Sequence, residues 1–364
     1  MLLEKRNKKI LVVCPHPEGY VPGQRLKFEQ YFEHWRNNGF DVEVSSFMSE
    51  HMQQIVYKKG HLPGKMAGTL RGYFTRLKNV FIIRKFDIVY IFLWVTPFGP
   101  PIAEWLFCKL SHKVIYDIDD LVYKSSASPN NKFIKFLKSS SKVDFLMRHA
   151  NHVLVSTDKL MEYTQKFTRN VSLIPATIDM RKYKGDNKNT VDDIVTIGWS
   201  GSHTTSKYLH LLDNVLKTLS KKHHVRIMVM GDKNFAVPGL DVELVEWTAE
   251  KEAYNLMQFD IGLHPIPDEE WVYGKSGGKL VQYMAAGIPI VASAIGPNFK
   301  AVENGYNGFL VTTNEEWINR LELLIVDKKL REQMGNNSKS YAIKNYSTEA
   351  NSDKYLAVLN SVSI

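Results

Sequence analysis

The sequence predicts an α/β protein with two doubly wound parallel-sheet domains that face a central cleft. Short apolar runs alternate with helical patterns in the first half, a polar stretch follows, and a second alternating series begins after it. Such alternation indicates βαβ units and a parallel sheet. At roughly 100–200 residues per domain, 364 residues also suggest two domains. Ligands of such sheets bind at the carboxyl ends of the strands, which the two domains would direct toward a shared cleft.

The first domain is predicted over residues 1–180. Its first strand is the apolar run KILVVC, and the helix after it carries aromatic residues at helical spacing and stops before Gly39. The predicted strands cover 9–14, 41–46, 88–94, 113–116 and 152–156, and that helix covers 26–37.

A polar linker or hinge is predicted at 181–193, and the second domain at 194–345. Its strands are predicted at VTIGW, VRIMVM, 242–245, IGLH and 288–293, and a turn at 305–308 closes the series. A helix is expected over 207–219. From Asn314 onward the pattern predicts helices that are broken near Gly335 and Ser347.

Composition excludes several classes of protein. With 44% apolar and 23% charged residues, neither disorder nor a fibrous fold is expected. Two cysteines exclude a disulfide framework and a cysteine-based zinc module, and they suit a reducing compartment. The start, MLLEKRNKK, lacks the apolar core of a signal peptide. Prolines interrupt the apolar stretch 88–108, so no transmembrane helix is expected.

The net charge of +9 is concentrated in residues 51–86, which contain eight basic and no acidic residues interleaved with apolar ones. This pattern suits an anionic membrane surface or a phosphate-bearing partner. The alternative is a solvated basic face. No nucleic-acid partner is expected. The basic residues are Lys58, Lys59, Lys65, Arg71, Arg76, Lys78, Arg84 and Lys85.

The loop after the first strand of the second domain is rich in small residues. Gly198, Gly201 and Ser202 would let the backbone approach an anion at the start of the next helix. The sequence is neither a Walker loop nor GxGxxG, and a plain turn is the alternative.

Residues 260–311 carry a combination of patterns. An Asp-Ile-Gly-Leu strand end is followed by a helix ending in YMAAG, the strand IPIVAS, Glu303 and the segment GYNGFLV. The combination resembles the retaining glycosyltransferases with two Rossmann-like domains, the GT-B fold, and especially family 4, glycosyl transferases group 1. The resemblance covers the second domain clearly and the first mainly through architecture.

The turn GKSGGK at 274–279 opens the helix of this region. The helix N-terminus at Gly277 and Gly278, together with Lys275 and Lys279, would neutralise a departing diphosphate, so the two lysines are candidate catalytic residues. The alternative is a capped loop with two solvated lysines.

The sequence departs from the family at two glutamates that are usually eight positions apart. The second position is Gln282, whose amide can still bind ribose hydroxyls, and the first is Gly274, which has no side chain. An acidic loop precedes it at 268–270. Asp268 is the favoured candidate there for a contact to the donor sugar, and an exposed acidic loop is the alternative.

A predicted strand of the first domain runs into Asp117, Asp119 and Asp120. One interpretation is an Asp-x-Asp metal site. A second, which the resemblance implies, places Asp119 as a catalytic residue and Asp120 beside it near the donor sugar. A third is loop capping.

In the loop after the first strand, Arg25 would pair with a phosphate of donor or acceptor, or would lie on the surface.

The resemblance implies a metal-independent, hexosyltransferase-like enzyme with no cofactor. The first domain would bind a glycan or lipid-linked acceptor, the second would bind a nucleoside-diphosphate sugar, and the final helix at 346–364 would pack back on the first. The attack would occur on the face that the diphosphate leaves. The implied setting is bacterial surface polysaccharide synthesis, in the cytoplasm or peripherally at the inner face of the membrane. A non-catalytic sugar-nucleotide or glycan-binding protein is the alternative, which Gly274 keeps open.

Overall fold

The computed structural model describes residues 6–119, 141–185 and 194–363. The chain divides into two compact units. Unit 1 comprises Met1–Pro175, Gly274–Ser276 and Asn351–Ile364, and unit 2 comprises Ala176–Tyr273 and Gly277–Ala350.

The sheet of unit 1 has six described strands, and every pair of neighbours is parallel. Their order across the sheet is β2-β1-β3-β4-β5-β6. The strands are β1 (Lys8–Cys14), β2 (Phe40–Ser46), β3 (Ile88–Phe92), β4 (Val114–Ile118), β5 (His152–Val155) and β6 (Val171–Leu173).

Helices lie between these strands, and the last helix of the chain joins them. They are α1 (Pro22–Arg25), α2 (Phe32–Asn37), α3 (Glu50–Ile55), α4 (Leu62–Ile82), α5 (Ile102–Leu110), α6 (Ser141–His149), α7 (Asp158–Thr164) and α14 (Thr348–Val362).

Apolar side chains cover both faces of the unit 1 sheet, as a parallel sheet requires. Ile10 and Val12 of β1 pack into one cluster with α2 and α14, while Leu11 and Val13 pack into a second cluster on the opposite face. In the first cluster the ring of Tyr355 in α14 lies 4.5 Å from that of Tyr31 and 5.6 Å from that of Trp35. The last helix is therefore part of the core of unit 1.

Unit 2 repeats the same architecture. Its six described strands are all parallel, in the order β12-β11-β10-β7-β8-β9. They are β7 (Val195–Ser200), β8 (Val225–Met230), β9 (Glu243–Val245), β10 (Ile261–His264), β11 (Ile290–Ser293) and β12 (Gly308–Val311). The helices are α8 (Asp213–Lys222), α9 (Glu252–Leu256), α10 (Gly278–Ala285), α11 (Asn298–Ala301), α12 (Asn314–Val326) and α13 (Lys328–Tyr346).

The predicted α/β fold with two parallel sheets is confirmed, but several predicted elements differ. The helix expected over 26–37 is a 3₁₀ turn at Glu29–Tyr31 followed by α2, and the helix expected over 207–219 begins as a 3₁₀ segment, Ser206–Leu212. The strands β6, of three residues, and β12, of four residues, were not predicted. The predicted linker 181–193 falls partly outside the described residues.

The predicted helix break near Gly335 is wrong. The helix α13 continues through this residue, and the breaks occur at Asp327 and Ser347. A Cβ atom at Gly335 would lie 2.2 Å from the carbonyl oxygen of Gly287. The glycine therefore permits close contact between α13 and the end of α10, and does not interrupt the helix.

No described helix is both long enough and apolar enough to cross a membrane. The apolar stretch 88–108 divides into β3, a loop and most of α5.

We expect Gly335→Ala to destabilise unit 2 by about 1–3 kcal/mol, the usual cost of overpacking. Alanine gains about 1 kcal/mol in helix propensity. That gain is smaller than the cost of a Cβ atom 2.2 Å from a backbone oxygen. Urea denaturation of the full chain measures the change. Asn336→Ala, at an exposed position of the same helix, is the control and should change stability by less than about 0.5 kcal/mol. Equal stability of the two variants would contradict this packing role.

Candidate functional site

In unit 2 the loops after the central strands meet at the carboxyl edge of the sheet. Gly201 follows β7 and Gly231 follows β8. A Cβ atom at Gly231 would lie 2.0 Å from the carbonyl oxygen of Gly201, and Gly231 has a φ of 101°. The Gly201 N–H donates to the carbonyl of Met230 at 3.0 Å. The two loops are thus in backbone contact, which only glycine allows at position 231.

Lys279 brings a cation to these loops from the first turn of α10. Its ammonium lies 4.3 Å from the centroid of the Trp199 ring. A Cβ atom at Gly201 would lie 2.9 Å from the Lys279 Nζ atom and 2.4 Å from the Trp199 ring. Two motifs that are about 80 residues apart in the sequence are therefore in contact, and glycine at position 201 makes room for the ammonium.

The environment of Lys279 alters its protonation. Burial lowers the pKa of Lys279 from 10.5 to about 7, because the charged form loses hydration. The aromatic face of Trp199 compensates only in part. An anion beside the ammonium would favour the charged form and raise this pKa again. The Lys279 amine is therefore only partly protonated at neutral pH, and the binding of an anion would make it fully charged.

The start of α10 has the features of an anion site. The helix begins at Gly278, and the preceding Gly277 has a φ of 71°. The first N–H groups of a helix have no intrahelical partners, and the helix dipole is positive at this end. Gly277 and Gly278 are both partly exposed. Backbone N–H groups and the Lys279 ammonium therefore supply positive charge at one place.

Gln282 and Tyr283 follow on the same helix. The side chain of Gln282 is buried, and its Nε2 atom has no hydrogen-bond partner among the residues that the structure describes. A buried amide donor without a partner is costly, so this atom is suited to a ligand acceptor. The Tyr283 hydroxyl accepts from the Ser200 N–H at 2.8 Å and donates to the carbonyl of Leu263 at 3.2 Å. Tyr283 thus connects α10 to the ends of β7 and β10.

His264, at the end of β10, was not singled out from the sequence. Its Nδ1 atom lies 3.0 Å from the Oδ1 atom of Asn298, whose Nδ2 donates to the carbonyl of Ser293. Burial, together with the charge of Lys279, lowers the pKa of His264 to about 3. His264 is therefore neutral at physiological pH and adds no positive charge to the site.

Of the other site residues predicted in unit 2, one is buried in the sheet and two are exposed to solvent. Gly198 is buried within β7, where a Cβ atom would lie 2.1 Å from the Phe259 ring, so packing accounts for this glycine. Ser202 and Asp268 are exposed. The Ser202 hydroxyl is 2.7 Å from that of Thr204, and Asp268 accepts from the Tyr273 hydroxyl at 2.7 Å.

Lys275 was predicted to act together with Lys279. Its side chain is exposed, and the stretch Gly274–Ser276 groups with unit 1 while Lys279 belongs to unit 2.

In unit 1, Asp117 is part of the core. It is fully buried in β4, forms an ion pair with Lys27 at 3.2 Å and accepts from the Tyr90 hydroxyl. Burial raises the pKa of Asp117, against the attraction of Lys27. Lys27 also donates to the carbonyl of Ile174 at 2.7 Å. Asp117 is therefore engaged inside the fold, which removes one carboxylate from the proposed Asp-x-Asp metal site.

Asp119 lies just beyond β4, near the loop that follows β1. A Cβ atom at Gly23 would lie 3.8 Å from the Oδ2 atom of Asp119. The Oδ1 atom of Asp119 is buried and has no hydrogen-bond partner within the described residues. Arg25, half-buried, ends the short helix α1 of that loop. Two segments predicted separately, 19–25 and the end of β4, are thus neighbours.

Asp120 lies outside the described residues, so its predicted role stays a prediction. Within residues 6–119, 141–185 and 194–363, no group of three or more His, Cys, Asp or Glu side chains has a geometry that could hold a metal ion.

Comparison with known protein families gives a match over the segment that contains the Lys279 site. Residues 193–327 match the model of the family "Glycosyl transferases group 1". This segment contains β7 to β12 and the Lys279 site. Among curated proteins, a sequence search finds no significant match.

Solved structures of glycosyltransferases share the two-domain α/β fold, which is the GT-B fold. HepE of Anabaena in complex with UDP-glucose matches with 16% identity and a TM-score of 0.69, covering 97% of this chain and 99% of that one. Sucrose-phosphate synthase of Thermosynechococcus elongatus matches with 14% identity and a TM-score of 0.71, covering 98% and 99%. A glycosyltransferase of Rickettsia africae matches with 14% identity and a TM-score of 0.68, covering 98% of each chain.

We expect Lys279→Met to stabilise the protein more at pH 6 than at pH 10. The folded-state pKa of Lys279 is about 7, below the unfolded value of 10.5, so burial of the ammonium destabilises the fold fully below pH 7. As pH rises from 7 to 10.5, only the unfolded lysine still holds its proton, and the wild type recovers this stability. Urea denaturation across this range measures the difference. Lys328→Met, at an exposed position, is the control. A pH-independent difference for Lys279→Met would contradict the lowered pKa.

Proposed function

We propose that the protein is a glycosyltransferase that moves a sugar from a nucleoside-diphosphate sugar to an acceptor. The observation that carries this proposal is the position of Lys279, a half-buried side chain whose ammonium lies against Trp199 and Gly201 at the glycine-rich end of the unit 2 sheet. The match of 193–327 to "Glycosyl transferases group 1" supports the same class of activity.

The proposed donor is a nucleotide sugar bound by unit 2. Its diphosphate would contact the N-terminus of α10 and Lys279, and the amide of Gln282 would bind hydroxyls of the ribose. HepE binds UDP-glucose, which makes a UDP-hexose the first donor to test. Asp268 is the proposed carboxylate for the donor sugar, since Gly274 offers no side chain.

The proposed reaction is a retaining transfer, as in family 4. The bond between the sugar C1 and the diphosphate oxygen breaks, and the acceptor oxygen bonds to C1 on the same face. The acceptor proton passes to the departing diphosphate, so no protein nucleophile is needed. Negative charge grows on the diphosphate as the bond breaks, and a preorganised cation stabilises that charge more in the transition state than in the ground state.

The partly protonated state of Lys279 fits this task. Burial lowers its pKa to about 7 without a ligand, and the approach of a diphosphate favours its charged form. Proton uptake would therefore accompany donor binding. Because the helix terminus and lysine supply the positive charge, we propose that the transfer requires no metal ion.

Unit 1 is proposed to bind the acceptor. Asp119, whose buried Oδ1 atom has no hydrogen-bond partner among the described residues, keeps its proposed catalytic role near the donor sugar. Arg25, at the end of α1, is assigned to the acceptor or to a phosphate. Asp120 keeps the same proposed role. The acceptor class is a glycan or a lipid-linked sugar, and bacterial surface polysaccharide synthesis at the inner face of the membrane is the proposed setting.

Lys279→Met should lower kcat for the transfer of a sugar from its nucleotide donor by roughly 10²–10³-fold, the usual loss when one donor to a developing anion is removed. Release of nucleoside diphosphate from a panel of UDP-, GDP-, ADP- and dTDP-sugars measures the activity, and Lys328→Met is the matched control.

EDTA should leave the rate unchanged. A rate that requires added Mg²⁺ would contradict the metal-independent mechanism. Binding of a nucleotide sugar without turnover of any donor would favour a non-catalytic binding protein.

The anomeric configuration of the first product tests the retaining mechanism. With an α-linked donor, proton NMR during early turnover should show an α-linked product, because attack and departure occur on one face. A β-linked product would exclude this mechanism and require a general base on the enzyme.

A further inference from the structure

The long helix α4 of unit 1 has an unusual inner face. Where it packs on the rest of unit 1, this face carries three glycines spaced four residues apart. A Cβ atom on any of them would lie within 3 Å of a neighbouring side chain. The contacts pair Gly64 with Ile55, Gly68 with Met52, and Gly72 with Phe47.

Polar groups anchor the same face. The buried guanidinium of Arg76 donates to three main-chain carbonyls, those of Val95, Ser45 and Cys14, at 2.7–3.0 Å. Asn79 donates to the Ser45 hydroxyl at 2.7 Å. From Gly64 to Asn79 the helix is therefore held by glycines and hydrogen bonds, where a surface helix normally buries large apolar side chains; Val80 and Ile82 at its end pack on the core.

The large apolar side chains of α4 lie on its opposite side, exposed to solvent. They recur at spacings of three and four residues, so they form one continuous stripe along the helix. The exposed residues are Leu62 (66%), Met66 (59%), Leu70 (60%), Tyr73 (36%), Phe74 (64%), Leu77 (52%) and Phe81 (79%). A contiguous exposed apolar surface of this kind marks an interaction site.

Positive charge borders the stripe. Arg71 and Lys78 are exposed on α4, and Lys58 and Lys59 are exposed just before it. Residues 51–86 contain no Asp or Glu. An apolar stripe with a purely basic border complements the interface of a membrane that contains anionic lipids, where acyl chains lie beneath negative headgroups.

We propose that α4 binds an anionic membrane surface, lying flat with its apolar stripe among the acyl chains and its basic residues at the headgroups. The helix has 21 residues, which corresponds to about 30 Å lying in the plane of the bilayer. This inference rests on unit 1 alone and does not require the proposed transferase activity.

Flotation of the purified full chain with vesicles tests the proposal. Phosphatidylcholine vesicles with and without phosphatidylglycerol are the probes, at physiological salt. We expect the protein to float with the anionic vesicles, and binding to weaken as salt is raised, because salt screens the basic residues. Absence of flotation, or equal binding to both vesicle types, would overturn the proposal.

Two variants separate the apolar from the electrostatic contribution. Leu70→Glu/Phe74→Glu should weaken binding by about tenfold or more, since each side chain would lose its burial among acyl chains. Arg71→Gln/Lys78→Gln should also weaken binding to anionic vesicles by about tenfold or more. Unchanged binding of the first variant would contradict the contact between the stripe and the acyl chains. Unchanged binding of the second would contradict the contact between the basic residues and the headgroups.

The matched controls lie on helices of unit 2. Val326→Glu/Ile343→Glu adds the same charge at apolar positions that are 64% and 51% exposed, and Lys328→Gln/Lys329→Gln removes two exposed lysines. Both controls should float like the wild type. Circular dichroism and thermal melting verify that each variant is folded.

A second copy of the chain is the competing occupant of the stripe. Sedimentation without lipid distinguishes it: a monomer supports the membrane proposal. A dimer that Leu70→Glu/Phe74→Glu dissociates would assign the stripe to self-association and overturn it. Activity on a soluble acceptor should be unaffected by this variant, so failure of membrane binding and failure of the proposed transfer are read separately.

Discussion

In a sheet whose strands are all parallel, every strand ends at the same edge, and the loops that follow the strands meet there. Both sheets of this protein obey that constraint. In unit 2 it brings the loops after β7, β8 and β10 together and leaves Lys279 against Gly201. In unit 1 it places Asp119 near Gly23. The position of each candidate site therefore follows from strand direction, and its chemistry follows from a few loop residues.

Sequence patterns predicted the sheets well because buried parallel strands are apolar runs, and such runs are local signals. They also singled out Gly201 and Lys279, which the structure places in contact. They failed where a distant contact decides the role of a residue. Gly335 looked like a helix stop, yet it serves contact with Gly287. An Asp-x-Asp metal site was one of three interpretations open for Asp117, yet Lys27, 90 residues earlier in the chain, neutralises this carboxylate inside the core.

Charge is used differently in the two units. Lys27 and Asp117 form a buried ion pair within unit 1, so their charges neutralise each other and leave no net charge for a ligand. Lys279 has an aromatic ring beside it, and burial lowers its pKa to about 7. Because burial disfavours the charged form of Lys279, a bound anion would stabilise that form strongly. This contrast, which no local sequence pattern contains, separates a structural lysine from a candidate catalytic one.

The position of α14 affects the order in which the chain folds during synthesis. Tyr355 and its neighbours on this helix fill the cluster around Trp35, yet almost the whole of unit 2 is translated between these segments. Domains generally fold as they emerge from the ribosome. Here unit 2 can complete its core before unit 1 does, and the sheet translated first closes its core last. Until then the apolar face around Trp35 is open to chaperones and to aggregation.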